Sequence, residues 1–515
     1  MSFKRVNNIT GWVVCLIACT VFIMTSEAGG SLWDCGEFVS SCFKVQIPHP
    51  PGAPLFVLIG RVFIVLFGNN PLTAAKGVNV MNALASGFTI LFLFWTITHF
   101  ARRIALGGSR DNSQLTKLQL ITIMGAGAVG ALAYTFTDSF WYSAVEGEVY
   151  AMSALFTAIV FWAILKWEHI ADEPGADRWI VLIFFLMGLS IGVHLLNLLT
   201  IPALVLVYYF RKREHFNYAT IRKYFIRLVI IGGILGFILA LISASAASDS
   251  SRGIPMNATV AGLIIFGAAA AIGLLYGVEA IDKDKKDYYG GAYIFLIIGV
   301  VLVGVVQVAV IQLSIKAAGY FDIFAVNSLG LPFSSGFVFF FVLIGILIWI
   351  GLRFAVRRNW YYMRLGLWCL AFMFVGYSSY VTTLIRSNAN PAVDMYNVDN
   401  PMSLVGYLSR SQYGDWPILY GQKFTAQPID SKEIYTYEKG SNGKYIKTVN
   451  SYNYVYKKED EMIFPRMWDA SNDQGHADYY AMFMGIRKTQ DGKYERDPTF
   501  MDNMRFFISY QTYFM

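Results

Sequence analysis

Eleven long apolar runs, with basic residues gathered at every second boundary, constrain this chain more than any other feature. Runs of about 17 to 25 apolar residues match the thickness of a bilayer core. They fall near 11–27, 76–101, 116–137, 148–167, 179–194, 196–211, 225–247, 257–279, 290–316, 336–356 and 363–386. The basic boundaries carry Lys4/Arg5, Arg102/Arg103 with Arg110 and Lys117, Lys166 and Arg178, Arg211/Lys212/Arg213, Lys283/Lys285/Lys286, and Arg353/Arg357/Arg358/Arg364. Retained loops rich in Lys and Arg stay on the inner side, so the pattern predicts an inner N-terminus and an outer C-terminal segment. A missed or invented span would invert the alternation after it, and the alternation holds to Arg364. The fold class expected is an all-α polytopic membrane protein. Only 15% of the residues are charged, against about 25% in soluble domains. The net charge of +7 lies mostly at these boundaries, which argues against a nucleic-acid surface.

The segment 53–70 is apolar, but a span there would break the alternation downstream and place Arg61 in lipid. It is expected as a helix lying along the outer surface or re-entering within protein. Lys4/Arg5, the run from Gly11 and Ser26-Glu27-Ala28 also resemble a signal peptide; a retained first span is the preferred reading. After Arg386 the chain becomes polar, with Asn-Pro turns and aromatic–polar alternation from 431 to 465 around Ser441-Asn442-Gly443. That is a hairpin pattern. The expected organisation is a membrane domain over 1–386, with a first outer loop at 28–75 carrying surface helices, and a small α+β or β-rich outer segment over 387–515. The aromatic end from Phe506 to Met515 leads to the expectation that the chain is part of something longer.

The stretch from Trp33 to Phe56, WDCGEFVSSCFKVQIPHPPGAPLF, is polar and conformationally stiff in an otherwise apolar chain. Asp34 and Glu37 stand one helical turn apart, on one face. Their plain reading is stabilisation of a helix start by the helix dipole. Their chemical reading is a general base at a water-facing site. His49, set between prolines, either binds substrate or caps a turn. A second cluster runs from Thr137 to Tyr150, with Trp141, Tyr142, Glu146 and Glu148. Rings interleaved with acids suit a carbohydrate, and equally suit an interfacial aromatic belt. The other outer acids are Glu27, Asp138, Asp249 and Asp322. Candidate cations for a phosphate on that side are Arg386, Arg252, Lys44, His194 and Lys316, with arginine favoured for its fork of donors. Arg386 also reads as an anchor that snorkels to headgroups, and His194 with Asn197 as a stabilised turn. Cys35 and Cys42, seven residues apart, would be about 10 Å apart on a helix, too far for a disulfide. No Walker loop, dinucleotide fingerprint, Cys-x-x-Cys or HExxH pattern is present.

The motifs Trp33-Asp34-Cys35-Gly36-Glu37-Phe38, His49-Pro50-Pro51-Gly52, Phe140 to Tyr150, Gly192 to Asn197 and Arg386 to Pro391 together resemble glycosyltransferase family 117. These are GT-C-type membrane proteins similar to protein O-mannosyltransferases. The resemblance implies a GT-C-like fold and inverting transfer of a hexose, mannose in the first instance. The donor would be a polyprenyl-phosphate-linked sugar and the acceptor Ser/Thr of exported proteins. It maps the base onto Asp34, with Glu37 beside it. It implies donor-phosphate binding by Arg386, Arg252, His194 and Lys44, and substrate contacts from Trp33, His49, Trp141, Tyr142, Glu146, Glu148 and Asn197. No cofactor is required by the motifs, and the acids are compatible with a divalent metal. A bacterial inner membrane is implied, with a cytoplasmic N-terminus and a periplasmic C-terminal segment. Relatives of this family are usually longer. Two other classes remain as alternatives: a transporter or flippase of a lipid-linked or polar substrate, and a structural subunit of a cell-envelope complex. Acids clustered at one surface, with no two-half repeat, favour the enzyme over the transporter.

Overall fold

The computed structural model of the chain describes residues 2–108, 115–246, 256–413, 420–465 and 474–514. Among them, nine helical stretches are long and apolar enough to cross a membrane. All eleven apolar runs are helical. The run near 179–194 forms a helix of only 14 residues, Arg178–Ile191, because Gly192 ends it. The run near 225–247 lies in the helix Tyr218–Ala246. The segment 53–70 forms the 13-residue helix Pro54–Leu66, about 20 Å long and short of a span.

Contacts divide the chain into two bodies. The first comprises 1–215, 295–412 and 438–446. In order it holds α1 (Phe3–Thr25), α2 (Cys35–Lys44), α3 (Pro54–Leu66), α4 (Pro71–Ala105), α5 (Lys117–Thr135), α6 (Asp138–Val145), α7 (Val149–Ile170), α8 (Arg178–Ile191) and α9 (Ile201–Lys212). Its later part carries a π-helical stretch at Val306–Leu313, Ser314–Leu329, Ser335–Arg357, Tyr361–Tyr377, Val381–Ser387 and Pro401–Leu408. Close approach at small residues, beside large buried side chains such as Trp167, Phe22 and Phe94, builds this body. A Cβ on Gly188 of α8 would strike the Met373 carbonyl, and one on Gly376 the Phe185 carbonyl. A Cβ on Gly87 of α4 would strike the Cys19 Sγ of α1.

Two buried polar centres brace this body. Tyr377 donates to the Ile311 carbonyl at 3.1 Å inside the π-helical stretch. Asp322, fully buried, accepts from the backbone of Ser334, Gly336 and Phe337 at 2.8–3.3 Å and from Tyr445 Oη at 2.6 Å. Asp322 therefore holds the start of the Ser335–Arg357 helix.

The second body comprises 216–294, 413–437 and 447–515. It holds α10 (Tyr218–Ala246), α11 (Met256–Ile281), the helices Gln474–Phe483 and Phe500–Phe514, and a short antiparallel pair in which Tyr420 faces Ile463 and Gln422 faces Glu461. Glu279 of α11 accepts from Arg222 Nε at 2.6 Å and from Tyr218 of α10. The aromatic–polar stretch pairs Asp430–Lys439 with Tyr445–Val455, turning through Gly443 at φ +74°.

Candidate active site

The site is built on α2, the first helix after the first span. Its buried residues Cys35, Phe38, Ser41 and Cys42 recur at three- and four-residue intervals, so one stripe faces the core. Phe38 packs edge-on against Phe56 of α3, centroids 5.5 Å apart. Glu37 is left beside this stripe, and Asp34 occupies the cap position. Its carboxylate makes no capping bond. Its side chain is 55% exposed and therefore open to a ligand.

His49 comes to these acids from a turn that the sequence stiffens at every position. Gly52 closes it by donating to the His49 carbonyl at 2.8 Å. Gly52 has φ +72°, and a Cβ there would run into the Tyr407 ring. Two buried tyrosines hold the turn from far along the chain. Tyr407 Oη donates to the Pro48 carbonyl at 2.5 Å, and Tyr380 Oη to the Pro51 carbonyl at 3.0 Å. Tyr407 sits on the Pro401–Leu408 helix, whose start is capped by Asn400 accepting from Met402 N and Ser403 N.

So held, His49 donates twice to Glu37: from its backbone N to Oε1 at 2.6 Å and from Nδ1 to Oε2 at 2.9 Å. The ring's other nitrogen, Nε2, faces Asp34 Oδ2 at 3.8 Å. The hydrogen bond to Glu37 raises the His49 pKa against the effect of burial, with the Glu37 and Asp34 charges adding to the rise. Burial would raise the Glu37 pKa, but the hydrogen bonds and charge of His49 outweigh it and hold it below the ordinary 4.5. One ligand atom from each of Asp34, Glu37 and His49 lies within 4.8 Å of the others, close enough to hold a metal ion. With both Glu37 oxygens taken by His49, the better fit is Asp34 and Nε2 as ligands and Glu37 behind the ring.

A third carboxylate closes the site. Glu148, buried at the start of α7, accepts from Cys35 Sγ at 3.5 Å. Burial pushes its pKa up to about 7, with the charges of Asp34 and Glu146 adding to the rise. Burial likewise pushes the Cys35 thiol up to about 12, so it acts as a donor and not as a thiolate. Three polar residues of α4, spaced by three, fix the approach of these segments. Lys76 Nζ donates to the Ser26 carbonyl at 2.8 Å. Asn79 Nδ2 donates to the carbonyls of Glu27 and Gly29, and Asn82 Nδ2 to those of Glu146 and Glu148, both at 2.6 Å. Sequence reasoning passed over all three; the signal was Lys76, Asn79 and Asn82 on one face of an apolar run.

The other candidates are dispersed. Trp33 stands beside Asp34, 92% exposed, at φ +60°. Tyr142 is exposed, whereas Trp141 packs against Phe22 and Phe136. Arg386 does not join the acids. Its Nε donates to the Val45 carbonyl at 2.8 Å and its Nη2 to the Lys44 carbonyl at 3.1 Å, at the far end of α2. Asp34 and Val45 are separated by eleven residues, about 16 Å along a helix. His194 accepts from Leu196 N at 3.2 Å and lies against the Tyr150 ring. Asn197, fully buried, donates to Ser190 Oγ at 2.9 Å. Both make the contacts of a stabilised turn. Arg252 and Asp249 lie outside the described residues. All five cysteines are free, Cys35 and Cys42 included.

Residues 34–217 match the family described as Protein O-mannosyl-transferase TMEM260 N-terminal domain. Residues 414–508 match a family of unknown function, DUF8416. The chain is 24% identical over 149 residues to the protein O-mannosyl-transferase tmem260 of Dictyostelium discoideum, covering 29% of this chain and 16% of that one. It is 24% identical over 172 residues to the protein O-mannosyl-transferase TMEM260 of Mus musculus, covering 33% of this chain and 21% of that one. The matches thus span about a fifth or less of the length of these relatives. No solved structure matches the chain. The first family match begins at Asp34 itself.

Proposed function

We propose that this chain is a GT-C-type transferase of the glycosyltransferase family 117 kind, moving a hexose, mannose in the first instance, from a polyprenyl-phosphate donor to Ser/Thr hydroxyls of exported proteins. The observation that carries this reading is the exposed Asp34 carboxylate beside an oriented Glu37–His49 pair, at the head of a segment similar to O-mannosyl-transferases. Asp34 takes the acceptor hydroxyl proton. The oxygen bonds to the sugar C1 as the C1–O bond to phosphate breaks, and that electron pair leaves on the phosphate. Because the sugar is already departing, the hydroxyl becomes acidic in the transition state and a modest base suffices. The His49 ring, held by Glu37, keeps its Nε2 3.8 Å from the Asp34 carboxylate. Glu148, near neutrality in pKa, supplies the adjoining carboxyl that can hold or yield a proton. On this reading the pair Asp34–His49 serves proton transfer and transfer survives a chelator; loss of transfer on chelation would assign the pair to a metal instead.

The test is transfer by the purified chain from polyprenyl-phosphate mannose to a Ser/Thr peptide, with and without Asp34→Asn. Loss of a general base predicts about a 10²- to 10⁴-fold fall in rate. Transfer by the variant at the wild-type rate refutes the role of Asp34.

A further inference from the structure

Apart from the acidic site, the first body carries a polar region of opposite charge. A cavity of about 1030 Å³ opens at the ends of α1, α4 and α7 that lie away from α2. Asn82, at the acidic site, and His99, in this cavity's wall, are 17 residues apart on α4, about 26 Å along the helix. The two sites are therefore separate.

Three indoles form one wall: Trp12 of α1 stands edge-on to Trp95 of α4, centroids 6.5 Å apart, and Trp95 lies 5.8 Å from Trp162 of α7. Lys4 and Lys166 both line this space. Lys166 Nζ lies 5.1 Å over the Trp162 ring. Among the described residues neither ammonium is in an ion pair. The nearby carboxylate, Glu168, is taken by Arg103 at 2.9 Å and stands 4.0 Å from His99 Nε2. His99, His169 and Arg102 add further nitrogen donors to the wall.

Two ammonium groups that line one cavity, with no counter-ion among the described residues, attract an anion. Clustered indoles beside them suit a ligand with an apolar body at headgroup depth. We propose that this cavity binds the phosphate of an anionic phospholipid from the leaflet at that end of the helices, with Lys4 and Lys166 on the phosphate and the tryptophans along the glycerol and upper chains. The cavity is of the size of a small-molecule site, typically about 300–1,000 Å³.

The test uses the full chain in detergent, with phosphatidylglycerol, phosphatidylcholine and glycerol 3-phosphate as probes and native mass spectrometry as readout. The wild type should retain phosphatidylglycerol at least about tenfold better than phosphatidylcholine, the factor that about 1.4 kcal/mol supplies. Lys4→Gln and Lys166→Gln should each lower that preference several-fold, and Lys166→Arg should restore it. Lys117→Gln removes an exposed charge near this end but outside the cavity wall, and should leave the preference unchanged. All three lysines are exposed, so loss of folding does not confound the comparison. Equal retention of the two lipids overturns the proposal. So does a Lys117→Gln effect as large as that of Lys166→Gln, which would mean general surface attraction. Binding of glycerol 3-phosphate alone as tight as that of the lipid overturns the lipid source.

Discussion

Replacing Glu37 with Gln probes the arrangement of the site without changing its shape. Glu37 accepts the His49 backbone N–H at 2.6 Å and the ring Nδ1–H at 2.9 Å, with both side chains 24% exposed. Hydrogen bonds to a charged partner contribute about 1.5–3 kcal/mol each when well buried. The glutamine amide keeps one acceptor and turns its NH₂ toward the other donor, so one bond is lost and the survivor weakens. Discounted for partial exposure, the cost is about 2 kcal/mol where both partners are charged. The sign with pH follows from the two shifts. Glu37 is held below its ordinary 4.5, so its contribution is present above that value and lost as pH falls through the lowered pKa. His49 is held above its ordinary 6.5, so its contribution is complete below that value and lost as pH rises through the raised pKa. Between about 4.5 and 6.5 both are in place. The destabilisation should therefore be about 2 kcal/mol at pH 6 and about half that at pH 9, where a neutral ring still donates. Unfolding of the detergent-solubilised protein, followed by tryptophan fluorescence at the two pH values, measures it. An equal cost at both, or a larger one at pH 9, refutes the ion-paired description of Glu37 and His49.

Glu148→Gln should remove an inflection near pH 7 from the rate profile of sugar transfer, because burial holds the Glu148 pKa at about 7. An unchanged profile removes Glu148 from the proton chemistry. Tyr407→Phe leaves the Pro48 carbonyl without its buried donor, at a cost of about 1–2 kcal/mol. By loosening the turn that carries His49 it should also lower kcat more than it raises KM. Steady-state kinetics beside a melting curve check both effects, and an effect on melting alone would confine Tyr407 to a structural role.

The apolar runs and the Trp33–Phe56 stretch were legible because both are local. Hydropathy over about 20 residues fixes a span, and Asp34, Glu37 and His49 meet within sixteen residues of chain. What lay beyond the sequence depends on closure between distant segments. The HPPG turn is held by Tyr380 and Tyr407, more than 320 residues away, and each looks like one aromatic among many. Arg386 shows the same limit from the other side. The basic pattern places it on the side of the acids but not at a distance from them, and its donors go to the carbonyls that end α2. The choice between a site and a turn at His194 and Asn197 likewise rested on tertiary contacts, which here serve the turn.

The length of α4 accounts for two polar centres on one bundle. At 35 residues it extends about 52 Å, against about 30 Å of hydrocarbon. Its two ends therefore reach beyond the hydrocarbon. Near one end Lys76, Asn79 and Asn82 donate to the loops that carry Glu27, Glu146 and Glu148. Near the other, Arg103 secures Glu168 while His99 and Arg102 line the basic cavity. A polar triplet amid apolar residues is a poor choice for a helix whose only task is to cross lipid. Here it fixes the backbone that presents the carboxylates, so shortening its side chains should disturb the acidic site while leaving the basic cavity, about five turns away, in place.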